Sequence, residues 1–504
     1  MNPANQRTAT RVNLALASWA ALAVALVLLR SFLPTWYEGF EFDSDQAVLG
    51  LMAKHLSELR AFPLFVYGQH YILGVQSWLA APVFLLAGPT VFALRLPLVL
   101  VNVAIAVGVI VLLVRETRLA PGVAFVAALP FVLPTPMVST ELLYALGYSA
   151  EPLLYVLLLW VWRRRAIPFG IVLTIGFLHR EFTAYALPAL AVAMALEGTL
   201  LTRQTFERVL TVVVVFALIW VGVEVAKSRV DVFGPSTGPV ENAPLATQLE
   251  SVAAHVCFDP ATFPARVGSL WNDAASALFG ARRFTLFEYG INSPVSTGSP
   301  IVAWLLVALA ALVVVRLAAL RSAPPSSSSA FCLYLVIVGL EAAAAYPFAC
   351  DVVPGRPGVT RYILLALFVP IGCGAAYLRR ETVPALRAAF LAGVIAWTGF
   401  ALGDHVTTVA RHVAHPEPYR QRVLANYLVS HLVRYSRAEY WDAYALDFLA
   451  REQVVVASSG KLRVREYERL VDSHKTEAVE ITRGACKQAG VVVDAWCLQR
   501  LNSP

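Results

Sequence analysis

Apolar runs long enough to cross a bilayer recur along this chain from residue 14 to about residue 402. A helix needs about 20 such residues to span the hydrocarbon core, and the runs predict about eleven spans. Only 14% of the residues are charged and 58% are hydrophobic, whereas a soluble protein carries about a quarter charged residues. The fold class expected is an all-α polytopic membrane protein.

The charges set its orientation. A net charge of +7 would suggest nucleic acid in a soluble protein, but here the basic residues sit in short loops. They are Arg115 and Arg118, Arg163 to Arg165, Arg203 and Arg208, Arg316 and Arg321, and Arg379 and Arg380. Loops of this kind stay in the cytoplasm, so the N-terminus is expected inside and no nucleic-acid partner is assigned. The first run, 14–33, lacks a small-residue cleavage site and reads as a retained span. An odd number of spans then leaves residues 403–504 outside, as a small α/β domain. Residues 1–402 form the membrane domain, with outer segments at 35–94 and 229–298. Cys257, Cys350, Cys486 and Cys497 all fall outside, where disulfides persist, and Cys486 with Cys497 is the nearest pair.

Chemistry is concentrated on that outer side. Asp43 and Asp45 precede a segment, 46–59, whose apolar residues recur at helical spacing, which predicts a helix lying along the membrane interface. Two acids there read either as a helix cap or as catalytic groups. Glu151, then His179, Arg180 and Glu181, then Arg361 and Tyr362 fall at outer span ends, and Gln69, His70 and Tyr71 lie in the same outer segment as the acids. The stretch 166–200 is too long for one helix and reads as a hairpin with 179–181 at its tip. An acid can take a proton from an acceptor hydroxyl, and arginine can grip a phosphate. Arg180 also fits a plain interfacial cation reaching for headgroups. Glu224 and Glu341, inside spans, are left unassigned, and the cluster Tyr440-Trp441-Asp442-Ala443-Tyr444 reads as domain core rather than as a sugar platform.

The acid motif Asp43-Ser-Asp-Gln-Ala47, then Phe62-Pro63-Leu64-Phe65-Val66-Tyr67-Gly68-Gln69 and Ala93-Leu94-Arg95-Leu96-Pro97, give the chain a familiar layout. It resembles the GT-C superfamily of glycosyltransferases that use polyprenyl-phosphate-linked sugars. The nearest branch holds the dolichyl-phosphate-mannose protein mannosyltransferases and the bacterial lipid A aminoarabinose transferases. The segment 438–444 is similar to one that follows the membrane part of some bacterial members. The resemblance implies an inverting hexosyl- or pentosyltransferase of a bacterial-type cytoplasmic membrane, acting on its outer face. Asp45 matches the catalytic acid of the family, Asp43 is its helper, Glu151 matches a second outer acid, and Arg180 falls where relatives place a phosphate-binding lysine. His179, Arg361 and Tyr362 join Arg180 around the lipid phosphate; Gln69, His70, Tyr71 and Glu181 are expected near the substrate. Gln46 stands where the family commonly has a second acid, which argues against a divalent metal, and no cofactor is assigned. The implied partners are a lipid-linked sugar donor, a glycan, lipid or protein acceptor, and the bilayer. A transporter or flippase of lipid-linked sugars is the alternative; it would need sites near the midplane and related halves.

Overall fold

The computed structural model describes residues 3–147, 149–230, 250, 253–254, 256–286, 295–320, 330–355, 360–416, 418–486 and 489–501. Most of the outer segment 229–298 up to residue 249, and the linker at 324–329, lie outside the described residues. Among the described residues, seven helices are long and apolar enough to cross a membrane: Val12–Trp36, Val91–Thr117, Arg203–Lys227, Pro300–Ala319, Ala330–Phe348, Thr360–Arg380 and Pro384–Ala414. Shorter apolar helical stretches, Val75–Ala87, Pro121–Val132, Glu151–Trp162, Ala166–His179 and Glu181–Leu196, fall below that length, and the last four lie where further spans are expected.

In chain order, α1 (Pro3–Trp36) leads to α2 (Ser44–Ser57), a two-stranded ribbon of β1 (Phe65–Val66) and β2 (Gln69–Leu73), and α3 (Val75–Ala87). Then come α4 (Val91–Thr117), α5 (Pro121–Val132), α6 (Pro136–Glu141) and α7 (Glu151–Trp162). The hairpin expected over 166–200 is α8 (Ala166–His179), a 3₁₀ turn Glu181–Tyr185 and α9 (Ala186–Leu196), followed by α10 (Arg203–Val230). Along α10 the apolar residues Phe206, Val213, Leu218 and Val225 are exposed, the surface a lipid-facing helix presents. The last long helix, Pro384–Ala414, runs twelve residues past the boundary expected at 402.

Beyond it lies a mixed five-stranded sheet. Its order is β6 (Val455–Ser458), β5 (Tyr435–Ala438), β7 (Val479–Arg483), β9 (Trp496–Arg500), β8 (Val491–Val493). β5 is parallel to β6 and β7, and β9 is antiparallel to β7 and β8. The helices Arg420–Ser430, Tyr440–Leu449 and Arg465–Ser473 accompany it. Disulfides join Cys486 to Cys497 and Cys257 to Cys350. Cys332 and Cys373 are free.

The fold departs from expectation most at α2. An interfacial helix should keep one polar face in water, yet α2 is buried from Gln46 through His55, including Lys54 and His55. The helix Tyr440–Leu449 covers its polar side. Gly50 permits the close approach, since a Cβ there would meet the Phe448 ring at 2.6 Å. Phe448 also packs on Phe42 and Phe84, and Ser44 Oγ accepts from the Ala445 amide at 3.2 Å. Burial of one such ring contributes about 2 kcal/mol, so α2 is an internal helix between the membrane bundle and the C-terminal sheet.

Candidate functional site

Asp43 and Asp45 diverge because a helix begins between them. Asp43 is the N-cap of α2, in extended backbone, and its Oδ1 accepts from the Gln46 amide at 3.1 Å. Its Oδ2 accepts from the Tyr144 hydroxyl at 2.5 Å. Burial and the neighbouring Asp45 charge push the Asp43 carboxyl up to about 7, against the pull of Tyr144 and the Gln46 amide. Asp45 is in the first helical turn and stays partly exposed. Its Oδ1 accepts from the Tyr440 hydroxyl and lies 3.6 Å from Arg463 Nη2. No described residue bonds Oδ2.

Gln46 is committed elsewhere. Its Nε2 donates to the Glu41 carbonyl, while Oε1 accepts from Arg95 Nε at 3.2 Å, Arg95 Nη2 at 3.0 Å and the Ala145 amide at 3.3 Å. Among the described residues no three acidic, histidine or cysteine side chains are grouped to hold a metal.

The loop 142–150 ties this acid head to the other expected residues. Tyr144 meets Asp43, the Ala145 amide meets Gln46, and the Leu146 carbonyl accepts from Arg180 Nη2 at 3.3 Å. Ser149 donates to Glu151 Oε2 at 3.0 Å, and Gln76 Nε2 donates to Glu151 Oε1. The Arg180 guanidinium is near enough for its charge to act on Glu151. His179 turns away from Arg180. It is buried, its Nδ1 shares a hydrogen bond with the Tyr155 hydroxyl at 2.9 Å, and Gly147 closes its Nε2, where a Cβ would come within 2.6 Å. The structure places His179 against Tyr155 and Gly147, with no hydrogen bond to Arg180 among the described residues.

Arg361 and Tyr362 form a second cluster. Arg361 Nη2 donates to Asp351 at 3.2 Å and the Tyr362 hydroxyl donates to the same oxygen at 2.7 Å. The Tyr362 ring meets Phe182 of the hairpin turn edge-on at 5.8 Å, so this cluster adjoins the turn that begins at Glu181, which is half-buried. Thr360 donates to Glu141 at 3.3 Å. Burial pushes the Glu141 carboxyl up to about 7, and burial with the Glu141 charge pushes Glu41 up to about 8.

Two residues that sequence reasoning missed sit at the acid head, Tyr440 and Arg463, and a third, Glu452, at the far end of α2. Tyr440, read as domain core, is buried in the core but sends its hydroxyl to Asp45. Arg463 donates from Nε to the Tyr440 oxygen at 3.2 Å and from Nη1 to the Gly68 carbonyl at 3.4 Å. In the amide orientation its surroundings require, Gln69 Oε1 accepts from both Arg463 terminal nitrogens at 3.1 Å. The backbone of His70 and Tyr71 is in β2, but their side chains lie outside the described ones. At the far end of α2, Glu452 accepts from Lys54, from His55 Nε2 at 2.9 Å, from Arg60 Nη1 at 2.8 Å and from Tyr467 at 2.7 Å. Tyr440 belongs to the aromatic cluster 440–444 that stands out in the sequence, though not as a partner of Asp45; Arg463 and Glu452 carry no such signal.

This path, a helical bundle whose first buried outer helix opens on an acid pair and is roofed by the C-terminal region, defines the fold. It is shared with ArnT from Cupriavidus metallidurans, solved with undecaprenyl phosphate bound, at a TM-score of 0.59 and 11% identity over 95% of this chain and 97% of that one. The apo form of the same protein gives 0.57 at 10% identity, over 96% and 97%. The archaeal oligosaccharyltransferase AglB from Archaeoglobus fulgidus, in complex with an inhibitory peptide and a dolichol-phosphate, gives 0.51 at 12% identity over 93% of this chain and 69% of that one. No protein-family model and no curated protein matches the sequence.

Proposed function

We propose that the protein is an inverting glycosyltransferase of a bacterial-type cytoplasmic membrane. It would move a hexosyl or pentosyl group from a polyprenyl phosphate to an acceptor hydroxyl on the outer face, with the N-terminus inside and the C-terminal sheet outside. The observation that carries this reading is the Asp45 carboxylate. It stands at the head of α2, partly exposed, with one oxygen engaged and the other open, in a fold shared over nearly the whole chain with a protein that binds undecaprenyl phosphate.

In the proposed step the acceptor oxygen attacks the anomeric carbon as its proton passes to Asp45. The bond from that carbon to the phosphate oxygen breaks, and the phosphate leaves with the electron pair. Developing charge on the phosphate is met by Arg180, with Arg361 and Tyr362 on the adjoining cluster; preorganised cations of this kind supply much of such a rate enhancement. Asp43 serves as the cap that fixes the helix start, and its raised, Tyr144-bound carboxyl suits a neutral neighbour that leaves the charge to Asp45. Glu151, Gln69 and Glu181 line the same side of the molecule and are assigned to substrate contact, and His70 and Tyr71 remain with them by position.

The test uses full-length protein in liposomes with a panel of radiolabelled undecaprenyl-phosphate hexoses and pentoses and envelope lipid, glycan and peptide acceptors. Wild type transfers label to one acceptor class and Asp45→Asn does not, although it inserts and folds. A folded Asp45→Asn with full transfer overturns the assignment.

A further inference from the structure

A carboxylate base works best when its reactive oxygen is held toward the substrate and cannot rotate away. Around Asp45 the means of holding it come from the far end of the chain. The Tyr440 hydroxyl and the Arg463 guanidinium both approach Oδ1, and no described residue bonds Oδ2. The pair is itself directional. Arg463 Nε donates to the Tyr440 oxygen at 3.2 Å, so the tyrosine proton is turned toward Asp45. Burial and the Asp45 charge hold that hydroxyl well above the usual phenol range, which keeps it the donor.

Arg463 is fixed in turn. It is 8% exposed, its two terminal nitrogens are accepted by Gln69 Oε1 at 3.1 Å, Nη1 reaches the Gly68 carbonyl, and its backbone amide donates to the Tyr444 hydroxyl at 2.6 Å. Gly68 has φ +69, and a Cβ there would fall 2.9 Å from the Leu462 carbonyl, so the ribbon turn at Gly68 is shaped to receive the 462–463 strand of chain. Tyr440 is braced by Tyr444 and Trp441, whose rings lie 5.7 and 5.1 Å away, edge to face.

We propose that Tyr440 and Arg463 are positioning residues for the Asp45 base: together they fix its Oδ1 and present its Oδ2 to the acceptor, so that the C-terminal region completes the catalytic site in cis. Gln69, assigned above to substrate, is on this account the brace of Arg463. The proposal rests on the Asp45 reading, and its test separates the two.

The experiment uses Tyr440→Phe, Arg463→Gln and Arg463→Lys in the full-length protein in liposomes, each checked for folding by its thermal transition. Two readouts are taken. One is kcat and donor KM with the donor and acceptor that wild type turns over. The other needs no substrate: labelling of Asp45 by a water-soluble carbodiimide, mapped by mass spectrometry as a function of pH. Among the described residues, Asp43, Tyr440 and Arg463 are the ionisable groups that face this carboxylate. Removing a neighbouring cation and a hydroxyl donor disfavours a carboxylate's charged form. The labelling profile is therefore expected to move by about one pH unit to higher pH in Arg463→Gln, less in Tyr440→Phe, and back toward wild type in Arg463→Lys. kcat falls about tenfold to 100-fold in Tyr440→Phe and Arg463→Gln, with donor KM within twofold. Unmoved labelling and an unchanged kcat in folded variants overturn the proposal. If Arg463→Gln fails to fold, Tyr440→Phe and Arg463→Lys decide by the same readouts. A shifted profile together with an active Asp45→Asn would sink the base assignment and leave the contact standing as structural alone.

Discussion

Glu452 accepts a hydrogen bond from His55 Nε2 at 2.9 Å across 397 residues of sequence. The contact puts the histidine proton on Nε2 and leaves Nδ1 to take the Tyr67 hydroxyl at 2.9 Å. Lys54 and Arg60 bring two further charges to the same carboxylate. Glu452 itself sits in left-handed backbone, φ 60, straight after Arg451 at φ 53. A tight reversal of the chain thus aims one acid at the end of α2, and the site at its head inherits that placement.

Removing the acid should undock the two regions. Glu452→Gln leaves Lys54 buried beside a neutral amide, and loss of one partner from a buried charge cluster costs about 3 kcal/mol. The expected result is a lower thermal transition in detergent and earlier proteolytic cleavage between residues 414 and 420. Its partners hold the Glu452 carboxyl well below the usual range despite burial. The stabilisation is therefore complete above the ordinary glutamate range, about pH 4.3, and shrinks as pH falls below it. Wild type and variant converge in acid and differ most near neutrality.

The opposite sign holds at Glu41. Burial first, then the Glu141 charge, raise its carboxyl to about 8. A folded state that keeps a proton the unfolded chain has released loses stability as pH rises. The loss runs from the ordinary carboxylate range up to that raised value. Glu41→Gln removes the titration, so its thermal transition should fall less than that of wild type between pH 5 and pH 8. Because the side chain is half-buried, the gain at pH 8 is discounted to about 1 kcal/mol.

Gln46→Glu places an acid where the sequence resemblance leads one to expect a second carboxylate, and here it should harm the protein. The amide nitrogen that donates to the Glu41 carbonyl is lost, and an oxygen faces that carbonyl instead. An unsatisfied buried acceptor costs about 2 kcal/mol. Arg95, which already bonds Oε1, offsets part of this through its charge. A reduced thermal transition with unchanged donor KM is expected; a variant as stable as wild type would show that the amide is dispensable.

Arg180→Gln tests the phosphate arm. Losing one charge-assisted contact of about 1.4 kcal/mol raises donor KM about tenfold, with acceptor KM unchanged. Arg180→Lys keeps the charge without the fork and should fall between the two. Equal effects on donor and acceptor KM would point to a general loss of structure instead.

The bundle, the hairpin tip and the acid head were legible in sequence because each is a local signal. Uninterrupted apolar length marks a span, a charged triplet marks a tip, and an acid before a periodic segment marks a helix start. The burial of α2 was not legible. Lys54, Ser57 and Glu58 read as a solvated face; the distant Glu452 and Phe448 turn its Lys54 end inward, while Glu58 stays exposed. The inner strand β5, Tyr435–Ala438, was missed for a related reason: four residues with no β-branched side chain carry no periodic signal, and its place comes from parallel partners β6 and β7. Tyr440 looked like core, which it is; the direction of its hydroxyl is a tertiary fact.

Tyr440 lies 395 residues after the acid it contacts, which bears on the order of biosynthesis. A nascent chain that has inserted every long apolar helix still lacks the residues that seat Asp45. On the reading proposed above, such a chain is inert toward lipid-linked sugar until the region that carries Tyr440 and Arg463 has been exported and folded over α2.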